Sequence, residues 1–332
     1  MRLNQRLRRK RTEYEKPFFL SLLTPQGAGN LPLMRLIEGI RIIQSSTNIS
    51  TLESRVMLSA GVAPPKDVLL IKHNLYDKQA VIPRLPWRMP TLSEKRMLFV
   101  RSDQQQAENL VRVFTLPKKI IPHLTLLINL ESPEKLQFVL EQENVKQGIN
   151  LIREFIESLR IKDTPSSEYG IGWNASDQAT VTFGNGGFKE GLHIDNQRDT
   201  TMERILVNLG AESRYFLFIN LSINQLRSLI SKSDASLVKN NSGRSSIGRM
   251  FMHLFPNYPV TKLRIEPGEL YIAPTESLVH DGCTQRGQNI NPFFTMRAIF
   301  QSSTQQCIPH KSLDRCVTTL GTPHGSSLSN LE

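Results

Sequence analysis

The rhythm of apolar and polar positions changes about halfway along the chain. Before residue 165, two stretches carry apolar residues at helical spacing, QQQAENLVRVF (104–114) and NVKQGINLIREFIESLR (144–160). In the second, Ile149, Ile152, Phe155, Ile156 and Leu159 share one face. That spacing predicts an amphipathic helix ending at the polar run KDTPSSE (162–168). The Pro-rich pieces APPKD (63–67) and PRLPWRMP (83–90) predict loops. After 165, short β-favouring runs recur between Gly, Asn, Pro and Asp. They are ATVTFG (179–184), LHID (192–195), RILVNLG (204–210), YFLFINL (215–221), RMFMHLF (249–255), VTKLRIE (260–266), ELYIAP (269–274), SLVHDG (277–282) and FFTMRAIF (293–300). A short helix, NQLRSLI (224–230), and a polar loop over 231–246 interrupt them. So many closely spaced strands predict a β-sandwich or barrel rather than an alternating α/β sheet.

Four regions follow from this texture: a basic arm (1–15), a mixed, partly helical region that packs on the core (16–164), a β core (165–302) and a loosely ordered Ser/Thr-rich tail (303–332). With 332 residues, 39% of them apolar, the chain can bury a substantial core. The net charge of +11 is largely local. Arg2, Arg6, Arg8, Arg9, Lys10 and Arg11 supply six positive charges with no acid among them, and the rest of the chain carries +5. The arm reads as a solvated terminus, with nucleic acid or an acidic surface as the alternative partner. FFLSLL (18–23) is shorter than a signal-peptide core and no run is long enough to span a bilayer. A soluble cytoplasmic protein with no membrane contact is expected. Cys283, Cys307 and Cys316 are odd in number and late in the chain, so no disulfide framework is indicated.

The candidate chemistry begins at GLHIDN (191–196). A strand puts residues i and i+2 on one face, so His193 and Asp195 point together while Leu192 and Ile194 turn away. A third ligand must come from elsewhere, and His280 in SLVHDG is the candidate. Two imidazoles and a carboxylate on one face of an octahedron form the facial triad of non-haem Fe(II) and oxygen chemistry. In FFTMRAIF, Phe294, Met296, Ala298 and Phe300 occupy one face, and Thr295, Arg297 and Ile299 the other. An Arg in an apolar strand needs an anion, the strand has no acid, and a ligand carboxylate matches the guanidinium fork.

H-x-D, a His 85 residues after the Asp, and an Arg 17 residues after that His resemble the Fe(II)/2-oxoglutarate-dependent dioxygenase family. The resemblance spans about residues 165–302. It implies a double-stranded β-helix (jelly-roll, cupin-like) core, mainly β with an N-terminal helical elaboration. It implies that His193, Asp195 and His280 hold iron and that Arg297 binds the distal carboxylate of 2-oxoglutarate. Many members have Ser two residues after that Arg; Ile299 stands here, and Thr295 is the substitute hydroxyl on the same face. Asn208, on a face with Arg204 and Leu206, reads either as a contact to cosubstrate or substrate or as a core amide. The implied reaction converts 2-oxoglutarate and O2 to succinate and CO2 while abstracting hydrogen from a substrate. Asp195, where related halogenases have a small residue, points to hydroxylation, desaturation or cyclisation.

The expected substrate is a small molecule or an amino-acid or peptide unit. The alternatives are a non-catalytic metal-binding cupin-like module and an oxygenase acting on protein or nucleic acid. Glu276 and Asp281 flank His280 and read as solvated, with orientation of His280 as the functional alternative. GNGGFKEG (184–191) lacks the phosphate-loop pattern and reads as a loop leading to the metal strand. His253 reads as a core histidine. Cys307, His310 and Cys316 lack the fourth ligand of a structural zinc site.

Overall fold

The computed structural model describes residues 35–44, 52–68, 73–100, 110–159, 169–174, 179–184, 186–195, 202–240, 243–284 and 290–300. The basic arm, FFLSLL and the tail with Cys307, His310 and Cys316 lie outside them. In chain order the strands are β1 (Arg41–Gln44), β2 (Val56–Leu58), β3 (Val62–Ala63), β4 (Tyr76–Pro83), β5 (Leu110–Thr115), β6 (Tyr169–Asn174), β7 (Lys189–Gly191), β8 (Glu203–Asn208), β9 (Arg214–Ser222), β10 (Thr261–Ile265), β11 (Glu269–Ala273), β12 (Leu278–Thr284) and β13 (Asn291–Ala298). The α-helices are α1 (Leu92–Leu98), α2 (Thr125–Ile128), α3 (Leu136–Glu141), α4 (Glu143–Ser158), α5 (Ile223–Ser233), α6 (Ala235–Asn240) and α7 (Arg244–Leu254).

Among the described residues the strands form three open sheets, ordered β1-β5-β11-β8-β13-β6, β12-β9-β10-β2 and β3-β4-β7. The larger two meet where the Phe216 ring of β9 stacks on Tyr271 of β11 at 4.3 Å between centroids. The outer face of the six-stranded sheet carries Ile205, Val207, Leu270, Ile272, Phe294, Met296 and Ala298. These pack with Val145, Ile149, Ile152 and Ile156 of α4 in one apolar cluster. Phe155 and Leu159 border that cluster, so the predicted helix face is the buried one. Helix α5 starts at a capping box in which Ser222 and Gln225 satisfy each other's backbone amides. Gly268, at φ +74, makes the turn into β11 that a side chain would strain.

Sequence expectations are corrected at several points. Two of the expected strands, ATVTFG (179–184) and LHID (192–195), are not strands and pair with their neighbours only through isolated bridges at Phe183 and His193. RMFMHLF is helical, not a strand. Its seven residues hide the period, but Ile247 with Phe251 and Gly248 with Met252 are buried i,i+4 pairs that bury one helix face. The loop predicted over 231–246 accordingly contains α6 and the start of α7. LVRVF (110–114) is strand rather than helix: it lies between β1 and β11, and pairing on both edges overrides the helical spacing. The region before 165 also supplies strands to the core sheets, with β1 and β5 in the larger and β2 in the smaller. The boundary near 164 therefore divides the sequence texture but not the sheets.

Candidate metal centre

The backbone of residues 191–195 is guided on both sides. Gly191, at φ +71, passes so close to β4 that a Cβ would stand 2.5 Å from the Val81 carbonyl oxygen. Leu192 N–H donates to that same oxygen at 2.8 Å. Two residues later His193 pairs with His280 of β12 in an isolated antiparallel bridge. The N–H of each donates to the other's carbonyl, at 2.9 and 2.7 Å. Directly opposed residues point to the same face, so this exchange puts both imidazoles side by side, 4.8 Å between ring centroids. Ile194 turns the other way, where a Cβ on Gly248 of α7 would touch it at 3.1 Å. Helix α7 thus packs against the back of the segment.

Each imidazole is held alike. His193 Nδ1 lies 2.8 Å from the Gly191 carbonyl and His280 Nδ1 lies 3.3 Å from that of Leu278. A carbonyl only accepts, so Nδ1 donates in both rings and Nε2 is the nitrogen left to face the cluster. Both Nε2 atoms face Asp195, His193 to Oδ1 and His280 to Oδ2, each at 3.8 Å. Burial pushes the His280 pKa down to about 3, so the ring is neutral at physiological pH. Burial is also the largest influence on Asp195 and raises its pKa. His280, Arg204, the Thr275 hydroxyl and Arg297 together outweigh it and hold the carboxyl well below the usual range.

One donor atom from each of His193, Asp195 and His280 falls within 4.8 Å of the others. Among the described residues no fourth His, Cys, Asp or Glu joins them. Two imidazoles with Nε2 turned inward and one ionised carboxylate suit a divalent first-row transition metal, with positions left open for other ligands. The donor set fits the implied iron.

Arg297 stands beside this cluster. Its Nη2 donates to Asp195 Oδ2 at 3.0 Å and its Nε lies 3.4 Å from Glu276 Oε1. Arg204, directly opposite Arg297 in the β8–β13 register, reaches the same Asp195 Oδ2 at 2.8 Å. Like charges on facing strand positions repel, and the shared carboxylate offsets that repulsion. The anion sought for Arg297 within its own strand is thus provided by two protein carboxylates from other segments. Thr295, on the same face, donates its hydroxyl hydrogen to the Ile205 carbonyl at 3.1 Å. In this arrangement it has no hydrogen left for a cosubstrate carboxylate. Asn208 is fully buried and away from the cluster: its amide donates to the carbonyls of Glu212 and Ile265 and accepts from Gly210 N–H. It holds a turn.

Glu276 and Asp281 are buried, not solvated, and the contact that turns His280 Nδ1 is the Leu278 carbonyl. Glu276 pairs with Arg297 and, at 3.8 Å, with Arg244. Asp281 accepts from the Thr182 hydroxyl at 2.8 Å and lies 3.9 Å from His193 Nδ1. His253 lies on α7. Sequence reasoning missed Arg204 as a partner of Asp195; its only local signal was a charged residue on the same strand face as Leu206.

No protein-family model matches the chain, and no curated protein matches it. Among solved structures it is similar to the Kdo hydroxylase KdoO, described as a non-haem Fe(II) α-ketoglutarate-dependent dioxygenase in complex with succinate and Fe(III). That match has 10% identity and a TM-score of 0.30, and covers 59% of this chain and 81% of that one. A likeness at that level transfers no residue role, and the chemistry rests on the side chains themselves.

Proposed function

We propose that the protein is a non-haem Fe(II)/2-oxoglutarate-dependent dioxygenase built on a double-stranded β-helix. It would hydroxylate a small molecule or an amino-acid or peptide unit in the cytoplasm. The observation that carries this reading is the His193–Asp195–His280 cluster with Arg297 in contact with its carboxylate. His193, Asp195 and His280 would hold the iron. Bound there, Fe(II) supplies O2 activation coupled to decarboxylation of 2-oxoglutarate to succinate and CO2, with hydrogen abstraction from the substrate.

The chain's own residues have separate tasks. The Gly191 and Leu278 carbonyls orient the imidazoles, and the His193–His280 backbone pair fixes their separation. Arg204 keeps hold of Asp195 Oδ2 and leaves Oδ1 available. Arg297 provides the guanidinium for the distal carboxylate of 2-oxoglutarate. Arg204, Arg244 and Arg297 gather beside the cluster, and a divalent ion would add positive charge there, which favours an anionic cosubstrate.

The test is anaerobic absorption spectroscopy during titration with Fe(II) and then 2-oxoglutarate. A metal-to-ligand charge-transfer band is expected only with both, and Arg297→Ala should need far more 2-oxoglutarate to produce it. Well-folded protein that binds Fe(II) without such a band would be a non-catalytic metal-binding barrel. The observation favouring that second reading is that Arg297 already has protein carboxylates on it.

A further inference from the structure

Glu276 occupies the turn between β11 and β12, where Ser277 N–H donates to the Pro274 carbonyl at 2.8 Å. Its side chain is completely buried. A buried carboxylate without a cation costs several kcal/mol, so Glu276 must keep one. Two guanidiniums flank it. Arg297 Nε is 3.4 Å from Oε1, and Arg244 Nη1, at the start of α7, is 3.8 Å from Oε2. Charge-assisted hydrogen bonds usually close to about 2.7–2.9 Å, so neither contact is fully formed. Arg244 Nη1 is also anchored at 3.3 Å to the carbonyl of Glu276 itself, which keeps it beside the carboxylate whatever Arg297 does.

These contacts form an alternating row, Arg244–Glu276–Arg297–Asp195–Arg204, with an arginine at each end. Either carboxylate can release Arg297 and still keep a cation, since Glu276 retains Arg244 and Asp195 retains Arg204. We infer that Glu276 sets the 2-oxoglutarate requirement of this site, holding Arg297 until the distal carboxylate takes its place, whereupon Glu276 closes onto Arg244. The inference rests on the function proposed above. It makes Glu276 an internal competitor and Arg244 the partner that lets it yield. Because the apparent affinity scales with the fraction of Arg297 that is free, the two residues act with opposite sign.

The experiment is calorimetric titration of 2-oxoglutarate into the full chain loaded anaerobically with Fe(II). Glu276→Gln removes the competitor and should tighten binding about tenfold. Arg244→Met strips Glu276 of its other partner and should weaken binding, by about as much. The double variant should bind closer to Glu276→Gln than to Arg244→Met, because Arg244 acts on Arg297 through the carboxylate. Unchanged or weaker binding in Glu276→Gln, or unchanged binding in Arg244→Met, overturns the inference. Should Glu276→Gln fail to fold, Arg244→Met alone carries the test. Arg297→Ala separates the two layers of the argument: wild-type affinity there removes the cosubstrate assignment itself. Weakened affinity there with an unmoved Glu276→Gln removes only the competitor.

Discussion

The two faces of the six-stranded sheet are made by the same strands and have almost nothing else in common. On β8, Ile205 and Val207 enter the apolar cluster under α4, while Arg204 turns to Asp195. On β13, Phe294, Met296 and Ala298 enter the cluster, while Thr295 and Arg297 face the smaller sheet. On β8 and β13 residue parity sends one set of side chains into the apolar cluster and the other, with both arginines, toward the smaller sheet, and a slip of one register would exchange them. A sheet with a dry face and a charged face can therefore hold arginines against a carboxylate without weakening its core.

The largest expected effect breaks the metal cluster that the charged face looks onto, whose histidines belong to β12 and to the segment bridged to it. His193→Ala or His280→Ala should weaken Fe(II) binding by about a hundredfold or more, beyond what losing an outer hydrogen-bond partner costs. Far-UV circular dichroism should stay unchanged. Full-affinity binding by either variant would remove that residue from the ligand set.

Next comes the dry face. Ile205→Ala leaves a cavity where the side chain is fully buried and should destabilise the protein by about 2–5 kcal/mol in urea unfolding. The folded fraction should bind Fe(II) as before. A parallel loss of metal affinity would mean that the two faces are coupled through the strand.

The smallest effect lies outside both faces and serves as a control. Glu94, in the first turn of α1, bonds Arg88 at 2.5 and 2.7 Å and accepts from Thr91 N–H at 2.8 Å. The Arg88 hydrogen bonds, joined by those of Thr91, hold its pKa down at about 2 against burial. A depressed carboxyl stabilises the fold above its unfolded pKa, and that contribution fades as pH falls from about 4.5 toward 2. Glu94→Gln should lower stability at pH 7 by about 1 kcal/mol, flatten the acid limb of the stability curve and leave Fe(II) affinity unchanged.

The strands after residue 200 were legible because their apolar runs are bounded by turn residues and buried nearly throughout. Helix α7 was not, since RMFMHLF is apolar at almost every position and only its upstream neighbours expose the period. β1, β2 and β5 were missed because they are short and gain their character from long-range partners such as β10 and β11. At the site, His193 and Asp195 are connected by strand spacing and Arg297 stands out as a charge in an apolar run. Arg204 and Glu276 carry no such signal. One faces a carboxylate from another segment, and the other sits in a turn that looks solvated until Arg244 and Arg297 arrive from distant elements.

The His193–His280 pair has a further consequence. β12 is the edge strand of its sheet, and the segment running beside it forms a single bridge rather than a ladder. The strand is nonetheless buried almost throughout, because residues 181 and 182 also lie against it and Thr182 donates to Asp281. A metal held jointly by both histidines would rivet the segment over that edge and bind only the native state, stabilising it by mass action. Metal loading would then raise the unfolding temperature of the protein, and chelation would lower it again.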